Sequence, residues 1–299
     1  MPYKIAIASG KGGTGKTTIA VNLYSMLNKV FANRIELVDC DVEEPNDLIF
    51  FEGAYKEKQE EIFQLIPNID KDKCTFCREC AEYCEFNAIV VIPPANFAEV
   101  NKSLCHSCGA CLVACKHEAI SEYPETIGWV NSYQTKNVNG LKEGRLKIGS
   151  AMQTMLIKDL KKRVSQNTEI VVYDSPPGTS CPVVETISDA NYVILVTEPT
   201  LFGLHDLKLM VNLMKEVKIP FGAIVNKAGL GNNAVYEYLK SEGIELLGEI
   251  PFSREYAGIY AKGNIVENMP DFIQVNYEKI VENLSHKLIK YEGDNYFKW

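Results

Sequence analysis

The glycine-rich stretch Gly10-Lys11-Gly12-Gly13-Thr14-Gly15-Lys16-Thr17-Thr18 constrains the fold more than any other part of the chain. It follows a short apolar run, Lys4 to Ser9, that reads as a buried parallel strand. It opens into a segment whose apolar residues Ile19, Leu23, Leu27 and Val30 recur at helical spacing. Glycines let the backbone wrap tightly, so several amide N–H groups can point at one anion. The helix N-terminus adds partial positive charge. Lys16 supplies a full positive charge for β- and γ-phosphates, and the Thr17 hydroxyl suits Mg²⁺. A strand, this loop and a helix in that order read as a phosphate-binding loop.

The remainder repeats the alternation. Strands are predicted at Ile35 to Val38, Ile170 to Tyr173, Tyr192 to Thr197, Phe221 to Val225 and Leu246 to Ile250. Helical patterns cover Met152 to Val164, His205 to Val217, Asn233 to Ser241 and Val275 to Ile289. Strands alternating with helices predict an α/β fold, a mostly parallel sheet with helices on both faces. From Pro67 to Tyr123 the rhythm stops. That stretch lacks a long helix, is dense in cysteine and is bracketed by Pro67 and Pro124. At 299 residues, the chain suits one large α/β domain, residues 1–66 and 124–299, with a small inserted module at 67–123.

Charge and composition narrow the setting. The net charge of −8 speaks against a general nucleic-acid surface. The N-terminus lacks the pattern of a signal peptide, and no run of about eighteen apolar residues suggests a membrane span. The C-terminal stretch 290–299 has aromatics but mixed charge, not the basic face of a membrane-targeting helix. A cytoplasmic location is expected. There, ten cysteines are not a disulfide framework, and their clustering points to metal.

The insert holds an internal repeat, CTFCRECAEYCEFNAI from Cys74 and CHSCGACLVACKHEAI from Cys105. Each copy has three cysteines in a C-x2-C-x2-C run and a fourth after three more residues. Zinc sites use two separated pairs, which these triplets do not match. The pattern resembles bacterial two-cluster ferredoxins across the whole insert, and the resemblance implies a ferredoxin-like α+β module with two 4Fe–4S clusters. In that arrangement the fourth ligand of each cluster comes from the other half. The resemblance thus assigns Cys74, Cys77, Cys80 and Cys115 to one cluster, and Cys84, Cys105, Cys108 and Cys111 to the other. The proline that usually follows the fourth cysteine is replaced by Glu85 and Lys116, which touches local rigidity and potential but not ligation. His106 and His117 are expected at the surface.

The early lysine of KGGTGKT, Lys11, resembles the deviant Walker A of the MinD/ParA/nitrogenase-iron-protein class of P-loop ATPases. That resemblance implies ATP binding and hydrolysis, slow without a partner, in an ATP-dependent homodimer where Lys11 reaches the partner's nucleotide. It makes Asp41, in Leu37-Val38-Asp39-Cys40-Asp41, the residue that orients the attacking water, with Asp39 nearer the Mg²⁺. The segment from Val171 to Thr179 resembles Walker B and switch II. There Asp174 would hold a Mg²⁺-bound water and the Gly178 amide would approach the γ-phosphate. Asn226 and Pro251 resemble the adenine-contacting positions. Cys181 sits at the offset of a dimer-bridging cluster ligand in nitrogenase iron protein. The upstream cysteine that such a site needs is missing here. The residue reads either as a dimer-interface thiol or as a buried small residue at a helix start, and Cys40 reads as core. The whole chain resembles MinD-superfamily ATPases with an inserted ferredoxin domain. The implied roles are ATP-gated electron transfer, ATP-dependent maturation or carriage of iron–sulfur or metal cofactors, or a MinD/ParA-like positioning switch with sensory clusters. The implied partner is a redox or cofactor-maturation protein.

Overall fold

Short runs of apolar residues become the middle of a sheet because both faces of each are covered. In β1 (Tyr3–Ala8), β2 (Ile35–Asp39), β8 (Ile170–Asp174) and β9 (Tyr192–Thr197), nearly every side chain is buried. Alternation is therefore lost and near-continuous apolar strands remain, as in a parallel sheet. The computed structural model describes residues 2–31, 34–134 and 139–291. Positions 292–299 of the aromatic C-terminal stretch lie outside them.

Three long strands, β3 (Tyr55–Ile69), β6 (Ile120–Gln134) and β7 (Asn139–Leu146), extend one side of the sheet. The other side carries β10 (Phe221–Ala228) and β11 (Leu246–Pro251). Among the described residues the strand order is β11-β10-β9-β1-β8-β2-β7-β6-β3. Pairs β1–β8, β1–β9, β2–β8, β2–β7, β9–β10 and β10–β11 are parallel. The α/β fold with a mostly parallel sheet is as the sequence predicts.

Helix α1 (Lys16–Phe31) buries Ile19, Leu23, Tyr24 and Leu27 against this sheet. The long C-terminal helix α9 (Asp271–Tyr291) adds Ile273, Tyr277, Ile280 and Leu284 to the same core. Each such side chain contributes about 1.5–3 kcal/mol on burial, offset by the entropy of ordering it. Helices α4 (Gln153–Lys161), α5 (Cys181–Ile187), α6 (Leu201–Val217), α7 (Ala234–Ser241) and α8 (Arg254–Ala261) complete the layers. Two of them start on local caps. The Thr200 hydroxyl accepts from the Gly203 amide and the Ser253 hydroxyl from the Tyr256 amide.

The described residues divide into two compact units. One takes those within 2–59, 130–145 and 157–291, the other residues 60–129 and 146–156. Pro67 and Pro124, expected to bracket the insert, lie inside β3 and β6. Proline is tolerated at a sheet edge, where its missing N–H costs no ladder bond, which accounts for Pro67 in the edge strand β3; Pro124 lies in β6, between β7 and β3. The second unit also contains the hairpin β4 (Ile89–Ile92) and β5 (Phe97–Val100), and the short helices α2 (Glu79–Glu82) and α3 (Ala110–Ala114). No helix among the described residues is long and apolar enough to cross a membrane.

Candidate functional site

Parallel register decides which acidic residues meet. Asp39 ends β2, Asp174 ends β8, and the two are register partners. Both are buried at the sheet's C-terminal edge, where the loop after β1 also emerges. The Thr17 hydroxyl donates to Asp174 Oδ2 at 2.6 Å, tying the start of α1 to the end of β8. Asp39 accepts three backbone amides: Asp41 N at 3.0 Å, Asn46 N at 2.7 Å and Asp47 N at 3.1 Å. The loop after β2 is thus pinned to one carboxylate.

Electrostatics follow from crowding. Burial pulls the Lys16 ammonium below its usual pKa, against the pull of Asp174 and Asp41. Burial raises Asp41, partly offset by Lys16. Asp174 is pushed up to about 6 by burial, opposed by the Thr17 hydrogen bond and by Lys16. Burial and the charge of Asp174 drive Asp39 well above the ordinary carboxylate range. Four titratable groups with shifted pKa values at one strand edge are characteristic of a working site.

Glycine is needed in the loop itself. Gly13 and Gly15 have φ of +79° and +96°, and a Cβ on Gly15 would lie 2.2 Å from Asn226 Nδ2. That nitrogen donates to the Thr14 carbonyl at 2.7 Å. Thr14 Oγ1 is buried without a partner. Gly12 is exposed, and Thr18 is buried at the first turn of α1. A cleft of about 320 Å³ opens beside the loop, lined by Gly13, Gly15, Asn226, Pro251, Phe252 and Tyr260 among others. Asn226 and Pro251 therefore share one cavity with the phosphate loop.

Two residues sit differently from the simplest reading. The Gly178 amide, expected to face a phosphate, donates to the Ser9 carbonyl at 3.0 Å. Lys11 turns back on its own chain. Its Nζ lies 3.0 Å from Glu198 Oε1 and 3.8 Å from Asp206 Oδ2, above the Phe202 ring. Lys227 reaches the same Glu198 at 3.0 Å and the Gly13 carbonyl at 2.9 Å. Burial would raise Glu198, but hydrogen bonds from Lys11 and Lys227 outweigh it and hold its pKa low. Glu198, Asp206 and Lys227 were not foreseen, since nothing in their sequence context marks them. Asp47 was missed too; it lies beside Asp39 and Asp174.

The cysteines form two groups. Cys74, Cys77, Cys80 and Cys115 line one cavity, and Cys84, Cys105, Cys108 and Cys111 line another. Each set takes three thiols from one repeat and the fourth from the other. The repeats match in detail. Backbone amides two residues on donate to Cys74 and Cys105 Sγ, at 3.4 and 3.5 Å. Amides four residues on donate to Cys84 and Cys115 Sγ, at 3.3 and 3.4 Å. Left-handed backbone recurs at Phe76 and Ser107, Arg78 and Gly109, and Asn87 and Glu118. Burial raises the Cys80 and Cys105 thiols and pushes Cys111 up to about 11. His106 and His117 are exposed, and the His106 ring stacks on Phe86 with centroids 3.9 Å apart. Cys40 is buried, whereas Cys181 is exposed at the start of α5 and so is not a buried helix-start residue.

The CobQ/CobB/MinD/ParA nucleotide-binding domain model matches residues 5–266. The chain belongs to that family. An uncharacterized protein of Methanocaldococcus jannaschii is 30% identical over 266 residues, covering 87% of this chain and 89% of its own. An iron-sulfur cluster carrier protein of Pyrococcus horikoshii is 25% identical over 312 residues, covering 98% of this chain and 88% of its own. Among solved structures, the cell division ATPase MinD of Pyrococcus furiosus superposes with a TM-score of 0.59 at 16% identity, covering 96% of this chain and 100% of its own. At that identity the likeness speaks for the fold alone.

Proposed function

We propose that this member of the family hydrolyses ATP and holds two 4Fe–4S clusters, whose electrons reach a partner protein under control of the nucleotide. The observation that carries the reading is the pair of four-cysteine cavities in crossed order, in a chain with a complete phosphate loop. Among the described residues, only Asp39, Asp47 and Asp174 form a group of three metal-binding side chains with ligand atoms within 4.8 Å of one another. The thiols are spread wider than that. Sulfurs around one zinc ion stand about 3.8 Å apart, given tetrahedral Zn–S bonds of about 2.3 Å. The wider spread and the all-thiol donor set suit a cluster and not a single ion.

In this reading the loop amides and Lys16 hold the phosphates, while Asn226 and Pro251 border the adenine. Thr17, Asp39 and Asp174 would hold Mg²⁺, which would neutralise phosphate charge. Asp41 orients the attacking water, and burial, by raising its carboxyl, also makes it a better proton acceptor. Gly178 must exchange its bond to Ser9 to reach a γ-phosphate. Lys11 must leave Glu198 to reach the nucleotide of a second copy, so the active state is a homodimer. The cluster cysteines would hold centres that supply one-electron chemistry.

Amide-to-sulfur bonds and the sharing of ligands between repeats favour resident clusters over cargo, because release would unwrap both halves. The test follows dithionite-reduced protein as an acceptor dye reoxidises it, with ATP or ADP present. ATP should change the rate by about tenfold or more in the wild type and not in Lys16→Ala. Equal rates with both nucleotides would overturn the electron-transfer role. A carrier role is the second reading, favoured by the name of the Pyrococcus relative and by the exposed Cys181, a thiol that could face its twin in a dimer. Delivery of iron and sulfide to an apo-ferredoxin, lost in Cys181→Ser, would support it.

A further inference from the structure

Asp47 begins a short 3₁₀ turn, Asp47–Phe50, after the β2 loop. It is 5% exposed, and no hydrogen-bond donor reaches either carboxylate oxygen. Asp174 Oδ1 is buried and unpartnered in the same way. One oxygen from each of Asp39, Asp47 and Asp174 falls within 4.8 Å of the others. Two of these carboxylates are oriented by neighbours, Asp39 by three amides and Asp174 by the Thr17 hydroxyl. Nothing comparable holds Asp47. It faces Asp174 within hydrogen-bonding reach, and Glu143 adds further negative charge nearby. Lys16 is drawn to Asp174 and Asp41.

Buried carboxylate oxygens without donors are costly unless a positive charge lies between them. Oxygen donors at this spacing suit a small hard divalent cation that keeps some of its waters. We propose that Asp47 joins Asp39 and Asp174 in a divalent-cation site that fills before any nucleotide binds. The site takes Mg²⁺ or Mn²⁺ and sets the ion beside the Thr17 hydroxyl ahead of the phosphates. Asp47 is then a positioning residue for the metal and not a participant in phosphate chemistry.

The experiment uses anaerobically purified, cluster-containing protein stripped of nucleotide. It is titrated with Mn²⁺ while free Mn²⁺ is read by electron paramagnetic resonance. The expected result is saturation at one Mn²⁺ per chain, competed by Mg²⁺. Asp47→Asn should weaken that binding by about tenfold or more. Asp47→Glu, which keeps the charge, should retain more of it. If Asp47→Asn fails to fold, Asp47→Ser carries the same comparison. Absence of stoichiometric Mn²⁺ in the nucleotide-free wild type, or unchanged affinity in a folded Asp47→Asn, would overturn the proposal. ATP binding is measured separately, so either result leaves the nucleotide reading standing on its own test.

Discussion

The phosphate loop and the cysteine module both bend the backbone into left-handed conformations, but with different residues. In the loop the positions belong to glycine, Gly13 and Gly15. In the cysteine module five of the six matched positions are not glycine, namely Phe76, Arg78, Asn87, Ser107 and Glu118. Glycine adopts such angles without steric cost, whereas other residues are strained there by roughly 1–3 kcal/mol. The loop is therefore shaped by the sheet and helix that flank it, ready before its ligand arrives. If the thiols hold the proposed clusters, ligand binding offsets that strain in the module.

The sharpest way to break this contrast is to remove each ligand. Chelating iron from the anaerobic protein should abolish the ordered structure of residues 60–129 while the nucleotide unit keeps its helices, read by hydrogen exchange. Equal protection of both units after iron loss would dissolve the comparison. Lys16→Ala, the reverse cut, should weaken ATP binding by more than about a hundredfold with full iron content retained, read by calorimetry and iron assay. Gly15→Ala should do nearly as much, because the new Cβ strikes Asn226. Lys11→Ala is a finer cut. It should keep ATP binding yet lose ATP-induced dimerisation and hydrolysis, and a normal hydrolysis rate would refute the role in trans.

Arg78 and its repeat mate Gly109 share one left-handed conformation inside the module. Arg78→Gly should slow cluster loss slightly and Gly109→Ala should hasten it, each by about 1 kcal/mol. The smallest effect concerns pH. Asp174 holds its proton up to about 6 in the folded chain, while the unfolded carboxyl releases it near the ordinary value of 3.8. The folded state thus binds more protons between those values, so stability without metal or nucleotide falls as pH rises through that window. A drop of about a few degrees in melting temperature is expected between pH 4 and pH 6.5, and it should be smaller in Asp174→Asn, where the raised carboxyls of Asp39 and Asp41 remain.

Much of the fold was legible because its signals are local. The apolar runs of β1, β8 and β9 and the spacing of Ile19, Leu23 and Leu27 were enough to place those elements. Strand β3 was not legible. Its first third, Tyr55 to Gln59, is charged or polar and exposed, and only Ile62, Gln64 and Ile66 further on show the alternation of a half-buried strand. The glycine loop and the cysteine spacings were equally plain, since each motif is fixed by contacts within a few residues.

The α/β alternation, the phosphate loop and two sets of thiols can be read along the chain, because period, spacing and residue chemistry act over short distances. The meeting of Asp47 with Asp39 and Asp174, and of Glu198 with both Lys11 and Lys227, arises from the folded arrangement. The reason is the sheet. Parallel register brings the ends of strands distant in the chain to one edge, and charges gathered there interact by proximity that no local pattern records.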